Sequence, residues 1–140
     1  MVYLDANLFV IAEVDIGAKG EEARSIIKTM IDKKFDGLTS VLTVDEVVWN
    51  IRKICNVEIS VNVGKNMFEL QNLKLVDAYS STVLKSFEFT EKYGLKPMDA
   101  IHVATMLENG VKEIVSEDSD FKKVKEIIAY SFSEFLKKLK

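Results

Sequence analysis

Hydrophobic residues along this chain follow two periods in alternation. Short, nearly unbroken apolar runs read as strands buried on both faces: Val2-Tyr3-Leu4, then "FDGLTSV", "LKLVDAY", "EIVS" and "IIAY". Between them the apolar positions recur at three- and four-residue intervals. "DANLFVIAE" starts a helix with Asp5 or Asn7 placed to cap it, and "IGAKG" breaks the chain. Glu21 to Lys33 returns to helix, with Ala23, Ile26, Ile27, Met30 and Ile31 on one face. In "TVDEVVWNIRKIC", Thr43 is placed as an N-cap and Glu46 stands three residues later, as in a capping box. "ISVNVGKNMFELQ" reads as a further helix, although its β-branched residues also suit a strand.

"SSTVLKSFEFTEKYG" is predicted as a helix with a serine cap and a glycine stop at Gly94. The single proline, Pro97, opens "PMDAIHVATMLENG", which Gly110 closes. "SFSEFLKKLK" forms a terminal helix. Strands alternating with helices predict a three-layer α/β/α fold with a central, mostly parallel sheet. No repeat or linker divides residues 1–140, so one domain is expected. In such a fold the carboxyl ends of the strands share one edge, and ligands bind there.

Composition narrows the class. A domain of 140 residues buries about two-thirds of its unfolded surface, and 48% hydrophobic with 29% charged residues suits an ordinary globule. No apolar run approaches a membrane span, and the N-terminus has no basic, apolar leader. One cysteine allows no intrachain disulfide, so a cytoplasmic location is expected; one Cys and one His exclude a Cys/His zinc cage. The net charge of −3 disfavours an electrostatic nucleic-acid binder, but a bound cation would itself supply positive charge to meet phosphates.

The acids change the picture most. Asp5 follows the first strand, Glu46 and Asp99 fall in predicted first helical turns, and Asp118 and Asp120 follow the fourth strand in "IVSEDSDF". Each alone has an ordinary reading: Glu46 as a capping-box residue, Asp99 as a first-turn acid, Asp118 and Asp120 as a solvated turn. Asp5 is harder to explain, because an unpaired charge after an apolar strand is costly. Four separate stretches send carboxylates to one edge, and independent capping needs have no reason to agree. An all-oxygen cluster selects magnesium or manganese over zinc or copper.

In order and spacing, "VYLDANLFV", "TSVLTVDEVVW", "KPMDAIHVATM" and "IVSEDSDF" resemble the four acidic motifs of the PIN domain, especially the VapC-type toxin ribonucleases. The likeness runs from Tyr3 to about Phe121. It implies a Mg²⁺- or Mn²⁺-dependent phosphodiesterase acting on RNA, with Asp5, Glu46, Asp99 and Asp118 catalytic and metal-binding, Asp120 an accessory ligand, and Asn7 and Ser116 supporting. Ala6 departs from the pattern, standing where many members carry a hydroxyl residue.

The resemblance also implies a homodimer and a cognate antitoxin that places a cation among the acids. The alternatives are a PIN nuclease of RNA processing or decay without an antitoxin, and a non-catalytic PIN-like scaffold. A haloacid-type phosphatase is disfavoured, since Asp5-Ala6-Asn7 lacks that chemistry's second aspartate. Outside the acids, His102 reads as a hydrogen-bonded structural residue rather than a general base. Trp49, Phe68, Phe87 and Phe89 read as core or subunit interface, and Cys55 as an inert core thiol. The aliphatic faces of helices 21–33 and 43–55 are the expected dimer surfaces. Arg52, Lys53, Lys122, Lys123 and Lys125 are candidate RNA contacts.

Overall fold

The computed structural model describes residues 1–140. Five strands build one sheet: β1 (Val2–Leu4), β2 (Gly37–Ser40), β3 (Leu73–Val76), β4 (Glu113–Val115) and β5 (Ile128–Tyr130), in the order β3-β2-β1-β4-β5. Every pairing is parallel, so the expected mostly parallel sheet is wholly so. Tyr3 pairs with Leu38 on one side and Ile114 on the other, which makes β1 the central strand. Its three residues are all buried, as a strand covered on both faces must be.

The helices are α1 (Ala6–Val14), α2 (Ala18–Ile31), α3 (Val41–Ile54), α4 (Val57–Met67), α5 (Ser80–Tyr93), α6 (Pro97–Glu108) and α7 (Phe132–Leu139). A 3-10 turn, Ser119–Lys123, links β4 to β5. Because successive strand residues point to opposite faces, the sheet separates two cores. Val2, Leu4 and Val115 pack with α1, α2, α3 and α7. Tyr3, Leu38 and Ile114 pack with α6, with Phe89 of α5, and with Phe121 and Val124 beyond β4. The result is the expected three-layer α/β/α arrangement.

Several predicted boundaries move for identifiable reasons. Helix α2 begins three residues before Glu21, with Gly17 as its N-cap and Gly20 inside its first turn, where an added side chain would collide with the Asp15 carbonyl. Helix α3 begins at Val41, and Ser40 caps it by accepting from the Leu42 amide at 3.0 Å. Thr43 is therefore not the cap: buried within the first turn, its hydroxyl is 2.8 Å from that of Thr39. Glu46 consequently lies in the second turn and forms no capping box. Tyr79, not a serine, occupies the cap position of α5, and its amide donates to Thr82 Oγ1. Pro97 and Gly94 sit as predicted, with Gly94 in the left-handed region at φ 69°.

The strand order places β1 beside β4, and the chain winds outward from this pair in both directions. That is the switch point where a parallel sheet opens a crevice at its carboxyl edge. Asp5 is the residue after β1 and Ser116 the residue after β4. No helix is long and apolar enough to cross a membrane.

Candidate active site

Asp5 ends the central strand and caps α1, its Oδ1 accepting from the Ala6 amide at 2.8 Å. Its Oδ2 accepts from Ser116 Oγ at 2.6 Å. Ser116 is itself held from two sides, accepting from Asn7 Nδ2 and from the Asp118 amide, each at 3.0 Å. Asp118 caps the 3-10 turn by accepting from the Asp120 amide at 2.9 Å. "IVSEDSDF" thus folds back over the switch point, with Ser116 joining its acids to Asp5.

Asp5, Asn7, Glu46, Asp99 and Asp118 line one cleft of about 310 Å³, together with Ala6, Val10, Ile11 and Asn50. Ligand-capable atoms of Asp5, Glu46 and His102 lie within 4.8 Å of one another, as do those of Asp99, Asp118 and Asp120. Five predicted acids therefore meet, with Asp120 at the rim, where Lys123 approaches it to 3.1 Å. Ser116 sits behind Asp5 rather than in the cleft wall. The remaining acid of "IVSEDSDF", Glu117, turns away to accept from the Phe132 amide and from Lys19.

The electrostatics are those of a carboxylate cluster with the His102 ring against Glu46 and Lys123 beside Asp120 at its rim. No lysine or arginine lines the cleft. Burial, followed by the charges of Asp5 and Asp118, raises the Asp99 carboxyl from 3.8 to about 6. Burial also raises Asp5, against the opposing effects of His102 and of the bonds from Ser116 and Ala6. Two carboxylates about 5 Å apart at an effective dielectric near 20 repel by roughly 3 kcal/mol before salt screening. A chain gains nothing from gathering such groups unless something positive joins them. The residues fit a hard divalent cation: the donors are carboxylate oxygens, and Asp5 and Asp118 are oriented by bonds from Ser116, Ala6 and Asp120.

His102 is completely buried on α6, with Nε2 2.5 Å from Glu46 Oε1 and Nδ1 2.6 Å from the Tyr3 hydroxyl. Burial opposes its charge, but the Glu46 bond and the Asp5 charge outweigh this and raise its pKa. It is the hydrogen-bonded residue the sequence suggested, yet its bond is to a site acid. Sequence reasoning missed Asn50 and Tyr3. Asn50 had a signal, since it stands one turn after Glu46 on the same helix face. Tyr3 had none, because its partner is 99 residues away.

Other expectations change. Cys55 caps the C-terminus of α3 and is exposed, so it is no core thiol. Of the aromatic residues read as core or subunit interface, Phe89 is core, while Trp49, Phe68 and Phe87 are exposed and so are not core. Lys122 pairs with Glu134 and Lys123 with Asp120.

A parallel α/β/α sheet that gathers carboxylates from four stretches of chain in a cleft at its switch point defines the class of fold and its candidate site. The PIN domain family profile matches residues 2–127, and the chain belongs to that family. Among solved structures it is similar to VapC20 of Mycobacterium tuberculosis, a sarcin-ricin loop cleaving toxin, with 14% identity, a TM-score of 0.73, and coverage of 87% of this chain and 93% of that one. It is also similar to VapBC2 of Rickettsia felis, solved bound to a promoter DNA fragment: 18% identity, TM-score 0.70, coverage 94% and 98%. A toxin-antitoxin complex from Klebsiella pneumoniae matches at 17% identity and TM-score 0.64, covering 91% of this chain and 96% of that one. No curated protein matches the chain in sequence.

Proposed function

We propose that this protein is a Mg²⁺- or Mn²⁺-dependent endoribonuclease and the toxin of a toxin-antitoxin pair, acting in the cytoplasm as a single domain. The observation that carries this reading is the meeting of Asp5, Glu46, Asp99 and Asp118 in one cleft from four separate stretches of chain. Asp5 and Asp99 would be the main metal ligands, Asp118 would complete the set directly or through water, and Asp120 would be accessory. When bound, the ion supplies acidification of the attacking water and neutralisation of charge on the phosphate and leaving oxygen. Glu46 faces the cleft across from Asp99 and Asp118, in position to orient that water or to hold a second ion. Ser116 and Asn7 keep Asp5 aimed.

The partner reading rests on a second feature. Beside the acid cleft, with α1 as the shared wall, runs an apolar groove of about 270 Å³ lined by Phe9, Ala12, Ile27, Val63, Met67 and Leu70. An antitoxin segment lying in this groove would bring a cationic side chain to the acids. The homodimer reading changes: of the two expected helices it keeps α3, and it adds α5. Helix α2 exposes no large apolar side chain, because α1 and α7 cover it. Trp49 and Ile54 on α3, with Leu84 and Phe87 on α5, are exposed and form the proposed subunit contact.

The test is cleavage of structured and unstructured RNAs by the purified chain in Mg²⁺, Mn²⁺ or EDTA. Metal-dependent cutting is expected. Metal-independent cleavage overturns the mechanism, and no cleavage together with no Mn²⁺ binding supports a non-catalytic scaffold.

A further inference from the structure

Backbone amides orient Asp5 and Asp118 among the cleft acids, and none orients Glu46. Asp5 and Asp118 both cap helical segments, and Asp99 stands in a first turn. Glu46 lies in the second turn of α3 with three side-chain torsions, facing carboxylates that repel it. Left alone, such a side chain extends into solvent. Instead its Oε1 meets Nε2 of His102 at 2.5 Å.

His102 is well built to hold it. The ring is fully buried, and both its nitrogens are engaged: Nε2 by Glu46 and Nδ1 by Tyr3. Tyr3 is completely buried in the central strand, so the ring is anchored to the most rigid part of the fold. The direction of the bond to Glu46 does not depend on the charge of the ring. An ionised carboxylate only accepts, so Nε2 carries the hydrogen in either state. The Tyr3 hydroxyl serves Nδ1 as donor when the ring is neutral and as acceptor when it is charged. Nε2 is also 4.0 Å from Asp5 Oδ1, so the same N–H lies between two acids that would otherwise repel directly.

We infer that His102 is a positioning residue: through Nε2–H it holds the Glu46 carboxylate in the cleft, with Tyr3 fixing the ring. This rests on the nuclease reading for its effect on rate, but not for its geometry. The role differs from that of a general base, because Nε2 is committed to Glu46, and from that of a purely structural histidine, because its effect runs through Glu46.

The experiment uses the full chain with His102→Leu, His102→Gln, Tyr3→Phe, Glu46→Gln, and the double variant His102→Leu with Glu46→Gln. His102→Leu is expected to lower kcat about tenfold or more, with His102→Gln, which retains an N–H donor near Nε2, recovering most of it. In the Glu46→Gln background the same His102→Leu change should cost less than about twofold, because the pair acts as one unit. Equal losses in both backgrounds overturn the inference. Should His102→Leu fail to fold, Tyr3→Phe carries the same comparison, with a loss of a fewfold that disappears when Glu46 is Gln. Crystal structures of the Leu and Gln variants read the geometry without any activity. Glu46 rotated out of the cleft in the first and retained in the second supports the positioning role even if no RNA is cut. Glu46 unmoved in His102→Leu overturns it whatever the activity.

Discussion

Ser116 Oγ donates to Asp5 Oδ2 at 2.6 Å across 111 residues of chain, joining the end of β4 to the end of β1. The same hydroxyl accepts from Asn7 and from the Asp118 amide, so one small side chain connects three parts of the acid cluster. A buried hydrogen bond to a charged group contributes about 1.5–3 kcal/mol, and its loss leaves further groups unpartnered. Ser116→Ala should therefore reduce unfolding stability by roughly that amount in urea titration at neutral pH. A reduction under about 0.5 kcal/mol would show that the network adds little to stability.

Asp5→Asn should abolish RNA cleavage while leaving the metal-free protein at least as stable as wild type, since it removes one member of a repelling cluster. Mn²⁺ should raise the melting temperature of the wild type and scarcely that of Asp5→Asn, because a ligand stabilises only the state that binds it. Asp118→Asn should behave likewise, with a smaller loss of metal binding if it acts through water. Wild-type cleavage by Asp5→Asn would refute the site assignment.

The metal-free protein should lose stability as pH rises. Asp99 releases its proton near 3.8 in the unfolded chain but holds it to about 6 when folded. Between those values the folded state binds more protons, so its stability is full below about 3.8 and lost as pH passes through about 6. Asp5, also raised, acts in the same direction, and so does raised His102 in a window beginning near 6.5. Thermal melts in EDTA between pH 4.5 and 6.5 should fall in temperature (about the window of Asp99 release), and Asp99→Asn should flatten the slope. A melting temperature that rises over this range in the wild type would contradict the assignment.

Light scattering at micromolar concentration should report a dimer. Leu84→Glu with Phe87→Glu should shift it to monomer without altering the circular dichroism spectrum, since both side chains are already exposed. A monomeric wild type, in the absence of any partner, would remove the proposed contact.

Strand and helix order were legible because apolar periodicity is a local property. Val2-Tyr3-Leu4 and the stripe of α2 show in any short window, and Pro97 and Gly94 mark their helix ends by backbone chemistry that no neighbour overrides. The alternation of elements determined the parallel sheet, and the parallel sheet determined that Asp5, Asp99 and Asp118 reach one edge.

What tertiary structure alone decided was the partner of each group. Thr43 has a good cap residue's chemistry, but Ser40 takes the cap and Thr43 turns to Thr39, which moves Glu46 into the second turn and toward His102. Glu117 is as acidic as its neighbours, yet the N-terminus of α7 and Lys19 draw it out of the cluster. Cys55 sits on an apolar stripe, but the helix ends there and leaves it exposed. Tyr3 reads as one more buried strand residue until its hydroxyl meets a histidine 99 positions later. Hydrophobic pattern acts through averages over many residues and so survives in the sequence. A hydrogen bond depends on two atoms within about 3 Å, and that distance exists only once the chain has closed.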